Sequence, residues 1–205
     1  MTKKMWSAGL FATVVVVGGG LFWTATSRAA LPSRPYLSNP CNTFAAMDHW
    51  LSIAAGPVTQ VSTPGSLTAN PGAAFTTSDG RSGQNIDVAA LSSAGDVKGV
   101  GTVDIEFDAT RKGDQSTITA NKAGAQFPAT QRMNFYITMD VNGSQYRSIN
   151  SVTLISTNVT STPPAVGTSF DLAGPVDFES VDSPGKVAMT MQPGHAATIT
   201  GHTAG

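Results

Sequence analysis

Hydrophobic and polar residues alternate with a period of two along much of this chain. Val103, Ile105 and Phe107 interleave with Thr102, Asp104, Glu106 and Asp108, giving the segment one apolar and one polar face, as in a half-buried β-strand. Arg111-Lys112-Gly113-Asp114 then predicts a turn, and Ile118 centres a returning strand over 116–121. The alternation is longest over 132–149. There Met133, Phe135, Ile137, Met139 and Val141 share one parity, Asn134, Tyr136, Thr138 and Asp140 take the other, and Asn142-Gly143 follows. Both residues of that pair tolerate positive φ, as a type I′ turn requires, so a β-hairpin returning through 145–149 is predicted.

Further strands are predicted at 151–157, 169–173, 176–179, 186–191 and 196–200. Thr162-Pro163-Pro164, Gly174-Pro175, Ser183-Pro184-Gly185 and Gln192-Pro193-Gly194 separate them. Short strands punctuated by turns every ten or so residues read as a sandwich or barrel. Residues 59–95 carry much Gly, Pro, Ser, Thr and Asn, which predicts only short edge strands at 66–69, 73–77 and 85–91. Phe44, Met47, Trp50 and Leu51 fall at spacings of three and four. With Asn42 or Thr43 as N-cap and Gly56-Pro57 as a stop, they predict one short helix. Pro32, Pro35 and Pro40 keep the stretch before it extended. The expected fold class is all-β: an antiparallel β-sandwich, immunoglobulin-like or similar, over 59–200. A linker and short helix over 30–58 precede it, and a flexible tail over 201–205 follows. No fixed-period repeat is visible.

The N-terminus changes the picture. Lys3 and Lys4 precede an apolar run from Met5 through Trp23, and Ser27-Arg28-Ala29 ends it with small residues. This is the layout of a secretory signal cut after Ala29. An uncleaved anchor is the competing reading, since about 20 apolar residues span a bilayer; Gly18-Gly19-Gly20 near the end of the run favours cleavage. Either way an exported protein is expected: extracellular, at the cell surface or periplasmic.

Only 12% of residues are charged, against about 25% in an average soluble protein. A cut after Ala29 takes Lys3, Lys4 and Arg28 from the 12 basic residues and leaves the 13 acidic ones in excess by four. That sign argues against nucleic acid and anionic lipid as partners, so membrane contact is expected only through an uncleaved N-terminal segment. Cys41 is the single cysteine, so no intrachain disulfide forms and stability must come from packing. A buried, inert thiol is expected.

Candidate chemistry is sparse. Asp104, Glu106 and Asp108 share one face of a predicted strand, and several carboxylates together are what a hard cation such as calcium requires. They are the candidate metal ligands; no EF-hand loop surrounds them, and the plainer reading is a solvated face. No other cofactor is expected. Asp177, Glu179 and Asp182 form a second acidic group, and paired carboxylates serve glycoside hydrolysis when held at the right separation. Tyr136 stands on the polar parity of the hairpin near Arg147, and this pair is the candidate ligand contact for a glycan or protein partner. Trp50, Phe127 and Tyr146 are further aromatics for such a platform. His49, His195 and His202 lack metal-site spacing, and no Gly-x-Ser-x-Gly elbow occurs. The expectation is a non-enzymatic exported binding or structural module; a secreted hydrolase of a glycan or ester, using Asp104, Glu106, Asp177 and Glu179, is the alternative.

Overall fold

A computed structural model describes residues 36–53 and 58–204. The expected signal and its cleavage point lie outside the described residues. Three long strands come first: β1 (Cys41–Ile53), β2 (Val58–Thr76) and β3 (Ser82–Val97). At about 3.3 Å per residue, β2 reaches up to roughly 60 Å. Ten shorter strands follow. They are β4 (Gly101–Phe107), β5 (Ser116–Ala120), β6 (Ala129–Phe135), β7 (Ile137–Val141), β8 (Ser144–Ser148), β9 (Val152–Val159), β10 (Ser169–Leu172), β11 (Val176–Ser180), β12 (Ser183–Gln192) and β13 (Gly194–Ala204). The antiparallel all-β architecture expected from the alternation is present, and its layers are stretches of one continuous 13-stranded sheet.

That sheet closes on itself twice. One edge of β1 pairs with β13 over 41–47 and with β12 over 50–53. The outer edge of β3 pairs with β5 over 83–86 and with β4 over 92–97. Hydrogen bonding therefore runs round a first circuit, β1-β2-β3-β5-β6-β9-β10-β13, and a second, β1-β2-β3-β4-β7-β8-β11-β12. Each is an eight-stranded barrel, and the two share the wall formed by β1, β2 and β3. After the shared wall the chain passes from the first barrel to the second at Tyr136, between β6 and β7, and again between β10 and β11. Closure removes the unpaired edges that make open sheets prone to aggregate.

The helix expected around Phe44–Leu51 is instead part of β1. Cys41, Thr43, Ala45, Met47 and Leu51 are buried, all on one parity, while Phe44 is 43% exposed. The three- and four-residue spacing of the larger apolar side chains is incidental; the inward face is written partly in small residues. The last residues, expected to fray, complete β13: Thr203 lies opposite Asn42 and Ala204 opposite Cys41. The predicted hairpin is present, with φ of 53° at Asn142 and 81° at Gly143 joining β7 to β8.

The region read as short edge strands forms the shared wall. Its glycines sit where strand and side chain meet closely. A Cβ at Gly83 would lie 2.3 Å from the Phe75 ring, and one at Gly65 would meet both the Met47 side chain and the Ser92 carbonyl. A bulge where β3 passes Thr68/Ala69 shifts parity, so Gln84 and Ile86 face the first barrel while Leu91, Ser93 and Val97 point inward beyond it. The second barrel is filled by large side chains, with Phe178, Leu51, Ile105, Met139, Met191 and Val103 almost wholly buried.

Candidate functional site

The first barrel is not filled. Its inward faces surround a cavity lined by β1 (Cys41, Thr43, Ala45, Met47), β2 (Leu67, Ala69), β6 (Gln131, Met133), β9 (Leu154), β10 (Phe170) and β13 (Ala197, Ile199). Space free of protein atoms amounts to about 580 Å³ with its mouth, yet only about 40 Å³ admits the centre of a water molecule. The cavity is thus a narrow slot. Small inward residues at Ala45, Ala69 and Ala197 create it, since larger ones there would fill the interior as they do in the second barrel.

Leu37, Thr162 and Pro164 complete the lining. The segment carrying Leu37 is held in place by Gln84. The Leu37 N–H donates to Gln84 Oε1 at 2.7 Å, and Gln84 Nε2 donates to the Leu37 carbonyl at 3.0 Å. A buried side-chain amide thus stands in for a strand partner. Next to it, the Tyr36 ring packs edge-on against Phe127, centroids 5.4 Å apart, and its hydroxyl donates to the Gln126 carbonyl at 2.8 Å. Burial pushes the Tyr36 phenol up from its ordinary value, which keeps that donor protonated. The Thr162 hydroxyl donates to the Tyr36 carbonyl.

One lining group breaks the apolar pattern. Gln131 is 5% exposed and lies on the inward parity of β6 with Ala129 and Met133. Its Oε1 is buried and has no hydrogen-bond partner among the described residues. Leaving such an acceptor unpaired costs about 1–3 kcal/mol. Sequence reasoning missed Gln131 because the alternation was taken to begin at Arg132. Extended one residue back, it places a glutamine on the same parity as Met133 and Phe135, and a polar residue there is the signal.

The sequence-predicted residues lie elsewhere. Asp104 and Glu106 point outward from β4, whereas Asp108, past its end, is buried and accepts from the Thr110 N–H at 3.0 Å and the Thr110 hydroxyl at 2.6 Å. Asp108 is a turn cap, and among the described residues no three His, Cys, Asp or Glu side chains gather as a cation site would need. Glu106 and Glu179 belong to one cross-strand row through Thr138 and Arg147. Three strand spacings put them roughly 14 Å apart, well beyond the span used by paired glycosidase carboxylates. Asp177 accepts from the Thr190 hydroxyl at 2.7 Å.

Arg147 donates to Glu179 across β8 and β11 at 2.7 Å. The Arg111 guanidinium lies 3.7 Å above the Tyr136 ring and bonds the Ser148 and Ile149 carbonyls. With Phe127 against Tyr36 and Tyr146 against the core, no aromatic platform forms from these three. His195 is half-exposed on the outer face of the first barrel. Thr198 lies 3.0 Å from its Nε2, but Asp171 is 3.8 Å from Nδ1 and Asp48 3.9 Å from Nε2. Those last two separations are too long for the hydrogen bond that orients a catalytic base.

Glu179 is held by structure. The Gly185 N–H, 2.6 Å away, and then the Arg147 guanidinium keep its carboxyl below the usual carboxylate range. A depressed folded-state pKa adds stability above the unfolded value of about 4.3, and that stability is lost as pH falls through the folded value. Glu179→Gln is therefore expected to lower the urea midpoint slightly at pH 7, with the two proteins converging in acid. Midpoints recorded from pH 7 to pH 2 check this; curves that stay parallel refute it.

No protein-family model matches the chain, and no curated protein matches it. Among solved structures it is similar to that of DynF from the dynemicin biosynthesis pathway of Micromonospora chersina, with a TM-score of 0.68 and 14% sequence identity. That alignment covers 86% of this chain and 88% of DynF, and at this identity the likeness is one of fold.

Proposed function

We propose that this chain is an exported carrier, a non-enzymatic protein that receives a slender apolar molecule inside its first barrel. The observation that carries the reading is the contrast between two barrels built on one wall. The second encloses large, almost wholly buried side chains, while the first keeps a narrow apolar slot into which one amide-bearing side chain, Gln131, is set. Eight-stranded barrels have an interior of the right size for side chains alone or for one small ligand, and apolar pockets with few polar groups are typical of ligand sites. The hydrolase alternative is disfavoured by the wide separation of Glu106 from Glu179 and by the bonds that hold Glu179 and Asp177.

A test uses 1-hexanol as probe. At about 0.8 kcal/mol per buried methylene, six carbons support a dissociation constant near the millimolar range. Methyl NMR should show saturable shifts at Met47, Met133 and Leu154, which line the slot. Unsaturable shifts, or shifts scattered over the surface, would overturn the carrier reading. Export rests on the basic, apolar and small-residue order of 1–29. Produced in a bacterial host with its own N-terminus, the protein is expected outside the cytoplasm with the mass of residues 30–205. Recovery of the full chain from the cytoplasm would sink export.

A further inference from the structure

We infer that the slot selects a neutral aliphatic alcohol and that Gln131 is the residue that reads its hydroxyl; this rests on the carrier reading above. The Gln131 side chain is enclosed, lines the slot and has an oxygen without a partner. Water does not answer this need well, because a buried water is held by two to four polar partners. The other polar side chains of the lining are already engaged: the Thr43 hydroxyl lies 3.6 Å from the Cys41 thiol, and the Thr162 hydroxyl serves the Tyr36 carbonyl.

The lining also fixes the charge of the ligand. Among the described residues no Lys, Arg, His, Asp or Glu lines the slot, so a carboxylate or ammonium head would be buried without a counter-charge, which is strongly unfavourable. A hydroxyl fits for a second reason. The amide oxygen and nitrogen of a glutamine exchange places by a half-turn, and a hydroxyl both donates and accepts, so it pairs with either orientation. A ketone or an ether pairs with only one. The slenderness of the slot favours an unbranched chain over a ring system.

The experiment compares 1-hexanol with its isomer methyl pentyl ether, equal in atoms but without a donor, and with hexanoate at pH 7. Each is titrated into the full protein by methyl NMR. The alcohol is expected to bind about tenfold more tightly than the ether, consistent with one buried hydrogen bond, and hexanoate to bind more weakly than either. Gln131→Leu should bring alcohol and ether to equal affinity while both still bind. Equal affinity in the unaltered protein, or tighter binding of hexanoate, overturns the inference and leaves the carrier reading standing. Binding of none of the three removes the carrier reading itself. Should Gln131→Leu not fold, the comparison on the unaltered protein still decides.

Discussion

Ala197→Leu is expected to abolish hexanol binding, weakening it about a hundredfold or more, while the protein stays folded. Ala197 lies opposite Phe170 on β10 and Met47 on β1, and its methyl group faces the slot. Three added carbons occupy the space a ligand chain would take. Because that space is empty, the substitution does not meet the resistance of a packed core, where overfilling costs about 1–3 kcal/mol. Filling a void typically adds about 0.5–2 kcal/mol. The signature is thus lost binding with an unchanged or higher thermal midpoint, read by methyl NMR titration beside a thermal melt. Retained hexanol affinity would place the binding site outside the first barrel.

The second large effect concerns the filled barrel. Phe178 on β11 is fully buried, and Phe→Ala in a core costs about 3–5 kcal/mol. For a protein of this size that lowers the thermal midpoint by roughly 6–20 °C. The shared wall adds a sharper expectation. β1, β2 and β3 cannot leave the second barrel without opening the first, so Phe178→Ala should also weaken hydrogen-exchange protection at Ser116–Ala120 of β5, which belongs to the first barrel alone. Unchanged protection there would mean that the barrels unfold independently.

What the sequence disclosed depended on how each strand is packed. β4 and β7 have one face in and one face out, with full-sized apolar residues inward, and alternation reveals them; β5 and β8, whose buried positions include Ser116, Ala120 and Ser148, were legible from the turns before them. β2 and β3 were harder to read because their inward faces are not uniformly apolar. Thr63 and Ser93 are buried polar residues that bond each other, Gln84 is committed to Leu37, and bulges reset the parity. Their glycines resemble turn signals, yet Gly65 and Gly83 answer to the crowding of Met47 and Phe75. β1 resembled a helix because three of its four slot-lining positions are Cys, Thr and Ala. Ala45, one of the small residues that make the cavity, is also one of those that hide the strand, so the candidate site and the misread element share part of their cause.

Under the export proposed above, in which the chain would cross a membrane N-terminus first, the pairing of β1 with β13 has a further meaning. Over 41–47 one edge of β1, the first described strand, is paired by β13, the last, so the first barrel cannot close before the C-terminal residues have arrived. During passage β1 has no β13 to pair with, and the long sequence separation makes closure slow. On the proposed export and carrier reading, the slot would come into being only after release, and a ligand would be taken up on the far side of the membrane rather than carried through with the chain.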